Sequence, residues 1–423
     1  MVGTDRSSSL FQPKLGIRTF VFILVILSFL TLFSEDLTSL KLDDVFAKND
    51  TAAKSPLHRK YQSNTTQRSR YGYHHPQPPY PPIQHISHTC LINRNTSSEQ
   101  VIHLPTAVPH LILIGAQKSA TSEFQVLADK YTNVITPLSM RGGFEPHFLE
   151  WHVEGSLMKM IRANETAEFD NAVCRFRQKY TEFFNMSQVN NNTMSVVMEK
   201  TPSYMLHHNL PLIIDVLCPW EPKILVILRD PVDRAWSQYR MIYSRTSSNQ
   251  QFATIVKNEI DNFIANGLLD NATTPLDDFE AALANNSDAP SSPFVFPKNM
   301  SLEKYAQLVQ LYRGNKKKEY LIRGLYAPLL LPWVKRFAAD DRLMVMKFNE
   351  VFNASIVDEV LRFAGVEDTS VDEHYDDFIR NKRPTNKGAE MPLDPTIRLY
   401  LKFLYQPFNR LFLQLLGEEW DGW

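Results

Sequence analysis

The chain has 423 residues, 43% hydrophobic and 22% charged, with a formal net charge of −1. This is ordinary globular composition with room for one large α/β domain plus extensions, and the charge gives no sign of nucleic-acid binding. It leaves open a polyanionic acceptor, since a local basic groove would suffice for one.

In chain order, residues 17–34 come first as a distinct segment. Ile17 to Phe33 is apolar apart from Arg18, Thr19, Ser28 and Thr31, with Arg6 and Lys14 before it and Glu35 and Asp36 after it. That charge asymmetry predicts a signal anchor with residues 1–16 cytosolic and the rest lumenal. A cleaved signal peptide is the competing reading, against which Phe33-Ser34-Glu35 makes a poor cleavage site. Residues 35–105 read as a Pro/Ser/Asn-rich stem, with prolines dense enough between Tyr71 and Pro82 to favour extended polyproline II. Acceptor sequences for N-glycosylation fit a lumenal chain. They occur at Asn49, Asn64, Asn95, Asn164, Asn185, Asn191, Asn271, Asn285, Asn299 and Asn353.

From residue 106 to 423 the pattern alternates. Short apolar strands are predicted at 111–115, 195–199, 224–228 and 343–347, with helices near 122–131, 207–217, 231–243 and 325–338. This predicts an α/β fold, a central parallel sheet with helices on both faces. Residues 247–298 are polar and Asn-rich, and read as an insertion or long loop with one helix. The cysteines are Cys90, Cys174 and Cys218. An odd number excludes a fully paired scaffold; a Cys174–Cys218 bridge or two buried thiols are both open. No Cys/His spacing suggests a zinc site, and no metal is expected.

Two strand ends carry anion chemistry. Leu111–Ile114 runs into Gly115-Ala116-Gln117-Lys118-Ser119-Ala120-Thr121-Ser122. Ile224–Leu228 runs into Arg229-Asp230-Pro231, with Ser237 beyond. A strand that turns into a helix presents free N–H groups and the positive end of the helix dipole. Two such junctions with cationic and hydroxyl side chains point to a nucleotide phosphorylated at two positions. Lys118 follows Gly115 too closely for a Walker A loop, and Arg229 stands where a magnesium-binding carboxylate would be needed. Both features argue against ATP hydrolysis.

Together these segments resemble the Golgi carbohydrate sulfotransferases, especially the heparan sulfate 3-O enzymes. The donor of that family is 3′-phosphoadenosine-5′-phosphosulfate (PAPS), and its second product is the desulfated nucleotide PAP. Lys118-Ser119-Ala120-Thr121-Ser122 is similar to the family's phosphosulfate loop, with Ala120 in place of the usual glycine. Glu145-Pro146-His147-Phe148-Leu149-Glu150 is similar to the segment whose first Glu is the base, so the resemblance assigns that role to Glu145. Glu199-Lys200-Thr201-Pro202-Ser203-Tyr204 is similar to the segment whose lysine approaches sulfate and acceptor, which implies catalytic roles for Lys200 and Lys118. Arg229 and Ser237 match the 3′-phosphate pair.

Lys387-Gly388 and the later Phe403–Leu411 stretch match a further donor loop and the helix after it. Ala389 replaces an arginine there, and the cysteine pair that often brackets this loop is missing. Arg323-Gly324-Leu325-Tyr326 matches another segment, and His147, Lys200 and Arg323 are the residues expected to meet substrate. The resemblance thus implies a single-pass type II Golgi membrane enzyme with a P-loop-like donor site, a carbohydrate acceptor and no nucleic-acid partner. A tyrosylprotein sulfotransferase and a non-catalytic PAPS- or glycan-binding protein are the alternatives.

Overall fold

The computed structural model describes residues 89–92, 100–103, 108–138, 145–163, 168–191, 195–243, 246–285, 291–313, 319–366 and 391–417. The anchor segment, most of the stem, Asn49, Asn64, Asn95, Asn164, Lys387 and Gly388 lie outside them. Among the described residues no helix is long and apolar enough to cross a membrane.

Among the described residues nine strands form three sheets. β1 (Thr89–Ile92) and β2 (Gln100–His103) pair antiparallel. Regular pairing therefore begins inside the segment assigned to the stem, ahead of the expected boundary at residue 106. The central sheet consists of β3 (Leu111–Gly115), β4 (Val134–Ile135), β5 (Val196–Lys200), β6 (Lys223–Leu228) and β9 (Leu343–Lys347). Its order is β4-β5-β3-β6-β9, and every pairing is parallel. β7 (Asn271–Ala272) and β8 (Phe294–Val295) form a small antiparallel ladder.

Among the described residues twelve α-helices accompany these strands. The first five are α1 (Thr121–Ala128), α2 (Glu154–Ala163), α3 (Phe169–Thr181), α4 (Met186–Asn191) and α5 (Leu210–Leu217). Next come α6 (Pro231–Tyr243), α7 (Asn249–Ala265), α8 (Leu276–Ala284) and α9 (Leu302–Arg313). The last are α10 (Tyr326–Phe337), α11 (Ala354–Phe363) and α12 (Pro395–Leu416).

The strands alternate their side chains between two apolar layers. Leu111, Leu113, Leu225 and Ile227 pack with Phe124 and Leu127 of α1 and Val357, Val360 and Leu361 of α11. Ile112, Ile114, Ile224, Val226 and Leu228 face the larger layer, built from α5, α6, α10 and α12 among others. A strand buried on both faces reads as a continuous apolar run, which is why these segments stand out in the sequence.

Helix starts follow side-chain chemistry. Asp230 Oδ1 accepts from the N–H groups of Val232 and Asp233, both at 2.9 Å, with Pro231 as first residue of α6. Asp394 caps α12 through Thr396 N at 2.8 Å, and that helix closes on Gly417 at φ 68°.

The 247–298 segment is not a long loop with one helix. It contains α7, α8 and the β7–β8 ladder, and Phe252, Val256, Ile260 and Phe263 of α7 are buried. Glu259, also buried, accepts from the backbone N–H groups of Tyr320, Leu321 and Ile322 at 3.0, 2.8 and 3.0 Å. The polar surface of these helices masked their apolar stripe in the sequence. Cys174 is disulfide-bonded while Cys218 is a buried free thiol, so the Cys174–Cys218 bridge is not formed. Burial pushes the Cys218 thiol pKa far up, which makes it inert.

Candidate active site

The site lies beyond the carboxyl end of β3, where the sheet order turns outward to β5 on one side and β6 on the other. β3 ends at Gly115 because the chain after β5 presses against it. A Cβ at that position would stand 2.9 Å from Met205 Cβ and 3.2 Å from the Pro202 carbonyl oxygen. This close approach brings the 116–122 loop beside the Lys200–Tyr204 turn.

In that loop Lys118 has φ 72° and Ala120 has φ 61°, both left-handed. Ala120 is the helix-capping residue of α1 in that conformation, where a glycine would sit without penalty. Ser119 is fully buried, and its hydroxyl oxygen has no hydrogen-bond partner among the described residues. Arg229, at the end of β6, donates to the Lys118 carbonyl at 3.5 Å and lies over the Phe348 ring at 4.6 Å. The Tyr326 hydroxyl donates to the Arg229 carbonyl at 2.7 Å. Burial lowers the Lys118 pKa; Glu123 raises it and the neighbouring Arg229 lowers it again. Arg323 donates to the Gln117 side-chain oxygen at 2.8 Å, which ties the 322–324 turn to the same loop. Ser237 is half-buried six residues into α6.

Across the cleft, Lys200 and Glu145 meet. Lys200 Nζ stands 2.8 Å from Glu145 Oε1 and 3.1 Å from the Ser122 hydroxyl. The lysine side chain is 3% exposed and the carboxylate 32%, so the carboxylate is the part a ligand could reach. His147, at φ 50°, places Nε2 3.3 Å from Glu145 Oε2 and Nδ1 2.5 Å from Glu150 Oε1. Its ring stacks on exposed Trp151 at 4.2 Å between centroids and 6° between planes.

Burial raises the Glu145 pKa, but hydrogen bonds from His147 and Lys200 outweigh it and hold the group below its usual value. His147 is pushed up to about 9, first by its hydrogen bond to Glu145 and then by that to Glu150. For Glu150, burial is again the largest influence, yet bonds from His147 and His207 bring it down to about 2. At neutral pH Glu145 and Glu150 are therefore carboxylates on either side of a His147 imidazolium, with Lys200 Nζ in contact with Glu145.

The structure brings Glu145, Lys200, His147 and Ser122 together, and separately sets Arg229 beside the Lys118 backbone. The Lys118 ammonium instead lies 3.7 Å from Met241 Sδ. Arg234 is fully buried, bonded to Gln238 at 2.8 Å and to the Tyr320 carbonyl.

Several contributors escape sequence reasoning. Thr201 accepts from His147 N at 3.4 Å and donates to Glu199 Oε1 at 3.0 Å, and Ser203 donates to Glu150 Oε1 at 2.9 Å. The Tyr204 hydroxyl accepts from Leu149 N at 3.1 Å. These three lie in the motif already singled out, so the motif itself was their signal. His207 and Glu154 have no such signal. Among the glycosylation acceptors, Asn185, Asn271, Asn285, Asn299 and Asn353 are exposed, as modification requires.

Sequence comparison points the same way as the motifs. Heparan sulfate glucosamine 3-O-sulfotransferase 3A1 of Mus musculus is 24% identical over 247 residues, covering 54% of this chain and 50% of that protein. The human form of the same enzyme aligns over 336 residues at 24% identity, covering 74% and 63%. Human heparan sulfate glucosamine 3-O-sulfotransferase 6 is 26% identical over 246 residues, covering 54% and 56%. The chain resembles the heparan sulfate 3-O-sulfotransferases.

The resemblance drawn from the motifs is thus borne out. The chain spans about half the length of the first of these sulfotransferases. No family model matches. Among solved structures, a sulfotransferase from Alicyclobacillus acidocaldarius aligns with TM-score 0.42 at 18% identity, covering 75% of this chain and 98% of that one.

Proposed function

We propose that this chain is a sulfotransferase that moves the sulfuryl group of PAPS to a hydroxyl of a carbohydrate, of the heparan-like glycosaminoglycan kind on which its relatives act. The carrying observation is the junction of Glu145, Lys200 and Ser122, which joins a partly exposed carboxylate to the last residue of the anion loop. The residues fit the donor. A buried, unpartnered Ser119 hydroxyl stands just before a helix start that has no side-chain cap, and the half-buried Arg229 guanidinium lies against the Lys118 carbonyl of the same loop. In this reading Lys118, Ser119, Ala120, Thr121 and Ser122 hold the 5′-phosphosulfate. Arg229 and Ser237 hold the 3′-phosphate, with Lys387 and Gly388 completing the grip.

The donor supplies an activated sulfuryl group with a phosphate leaving group. Glu145 is ionised at neutral pH and takes the acceptor's hydroxyl proton as the new oxygen–sulfur bond forms. Lys200 lies within reach of both the carboxylate and the loop, and steadies negative charge on the transferring oxygens. Lys118 offsets charge on the departing phosphate. His147, held as an imidazolium, fixes the carboxylate's second oxygen. In-line positioning supplies much of the remaining rate. We place the enzyme in the Golgi membrane through residues 17–34, with the catalytic part lumenal and glycosylated.

The test is transfer of label from radiolabelled PAPS by the full chain to heparan sulfate oligosaccharides and, in parallel, to a tyrosine peptide. Label on the hydroxyls of the oligosaccharide, lost in Glu145→Gln, is the expected result. Label on the peptide alone would replace the acceptor class, and failure to bind PAP would overturn the donor.

A further inference from the structure

The charged cluster does not end at Glu150. His207 Nε2 stands 3.2 Å from Glu150 Oε2, and its Nδ1 stands 2.7 Å from Glu154 Oε2. Asn209 Nδ2 donates to Glu154 Oε1 at 2.9 Å. The row runs Lys200, Glu145, His147, Glu150, His207, Glu154, alternating in sign at every contact. Its members come from the loop at 145–147, the turn at 149–153, the start of α2, the end of β5 and the approach to α5.

Glu150 is the pivot. Its side chain is only 3% exposed, so it stays ionised only with partners on both sides. His147 is one partner by hydrogen bond, and His207, 3.2 Å from Oε2 without hydrogen-bond geometry, is the other by charge alone. Glu154 in turn gives His207 a second anion, and Asn209 holds Glu154 in place.

We propose that His207 and Glu154 are positioning residues for Glu145, acting through Glu150 and His147 as one chain of alternating charges. The inference rests on the reading of Glu145 as the proton-accepting carboxylate. Its physical content is electrostatic. Removing the His207 charge makes the surroundings of Glu150, His147 and Glu145 more negative, which favours protonation of each. The other titratable groups that face this row are buried Glu199 on β5, held protonated beside Glu150 and His147, and His208 near Glu154 and His207, with Arg162 beside His208. None of these is altered by the substitutions below.

The experiment compares the full chain with His207→Gln and with the charge-conserving His207→Arg. It follows the pH profile of kcat/KM for transfer and the titration of the His147 ring by NMR of selectively labelled histidine. For His207→Gln, the acid limb of the profile and the His147 midpoint are both expected to move up, by about half a pH unit at an intermediate effective dielectric. His207→Arg is expected to keep the limb near its original place.

A fall in kcat with no movement of either quantity marks a merely structural role and overturns the proposal, as does unchanged activity. Should His207→Gln fail to fold, titration of the His207 ring in the unsubstituted protein decides: a midpoint not raised above that of an ordinary histidine would sink the chain. If instead Glu145→Gln retains transfer, the assignment of the base fails, and the NMR titration continues to report on the coupling by itself.

Discussion

At the scale of single residues, two substitutions separate chemistry from architecture. Glu145→Gln keeps the shape of the carboxylate and removes its capacity to take a proton. It is expected to lower kcat by roughly 10²- to 10⁴-fold with little change in the affinity for PAP, measured by steady-state kinetics and calorimetry. Ala120→Gly acts only on the backbone. Ala120 is held at φ 61°, so the change is expected to stabilise the fold by about 0.5–1 kcal/mol in denaturant unfolding, after the entropy of the freer unfolded chain is counted. Lys200 and Arg229 were legible in sequence because each sits at or just outside a strand end, and Glu145 because it opens the motif Glu145–Glu150. His207 and Glu154 were not legible. Their partnership depends on how the approach to α5 packs against the start of α2, and no spacing rule encodes that.

At the scale of elements, the parallel sheet was readable because its strands are apolar on both faces. Helix α6 was readable from its cap and proline. Asp230→Ala removes the acceptor of two N–H bonds and is expected to cost about 1 kcal/mol, with a weakened hold on PAP as the helix start loosens. For the 247–298 segment only the long-loop alternative fails, since Asn-rich surfaces hide a one-sided apolar stripe. Its function is visible only in three dimensions. Glu259 of α7 holds three consecutive N–H groups next to Arg323, which reaches Gln117 in the anion loop. Glu259→Ala leaves those donors unpaired and is expected to cost on the order of 3 kcal/mol in thermal or denaturant unfolding.

At the scale of the whole molecule, four groups with large shifts contribute to the pH dependence of stability. Glu199 and Glu259 are raised by burial to about 8 and about 7, so each binds a proton in the folded state that the unfolded chain has released. Their contribution falls as pH rises from the ordinary carboxylate range through those values. His147, raised to about 9, contributes fully below its unfolded pKa and is lost as pH rises through the folded one. Glu150, lowered to about 2, works the other way: its contribution is present above the unfolded pKa and is lost as pH falls toward 2. Together these signs place the highest melting temperature near about pH 5, with a decline toward pH 9. Glu199→Gln is expected to flatten part of that decline in a series of thermal melts.

The central position of β3 has a consequence for how such a protein could change its target. β3 hydrogen-bonds to β6 along one edge and to β5 along the other, so the strand ends bearing Arg229 and Lys200 share no ladder with each other. On the proposed reading, the β6 end assigned to the nucleotide and the β5 end assigned to the acceptor lie on opposite sides of one common strand and meet only through the loop that follows it. Transplanting residues 145–209 from a relative with another acceptor preference is expected to change acceptor choice with PAP affinity kept, measured by calorimetry.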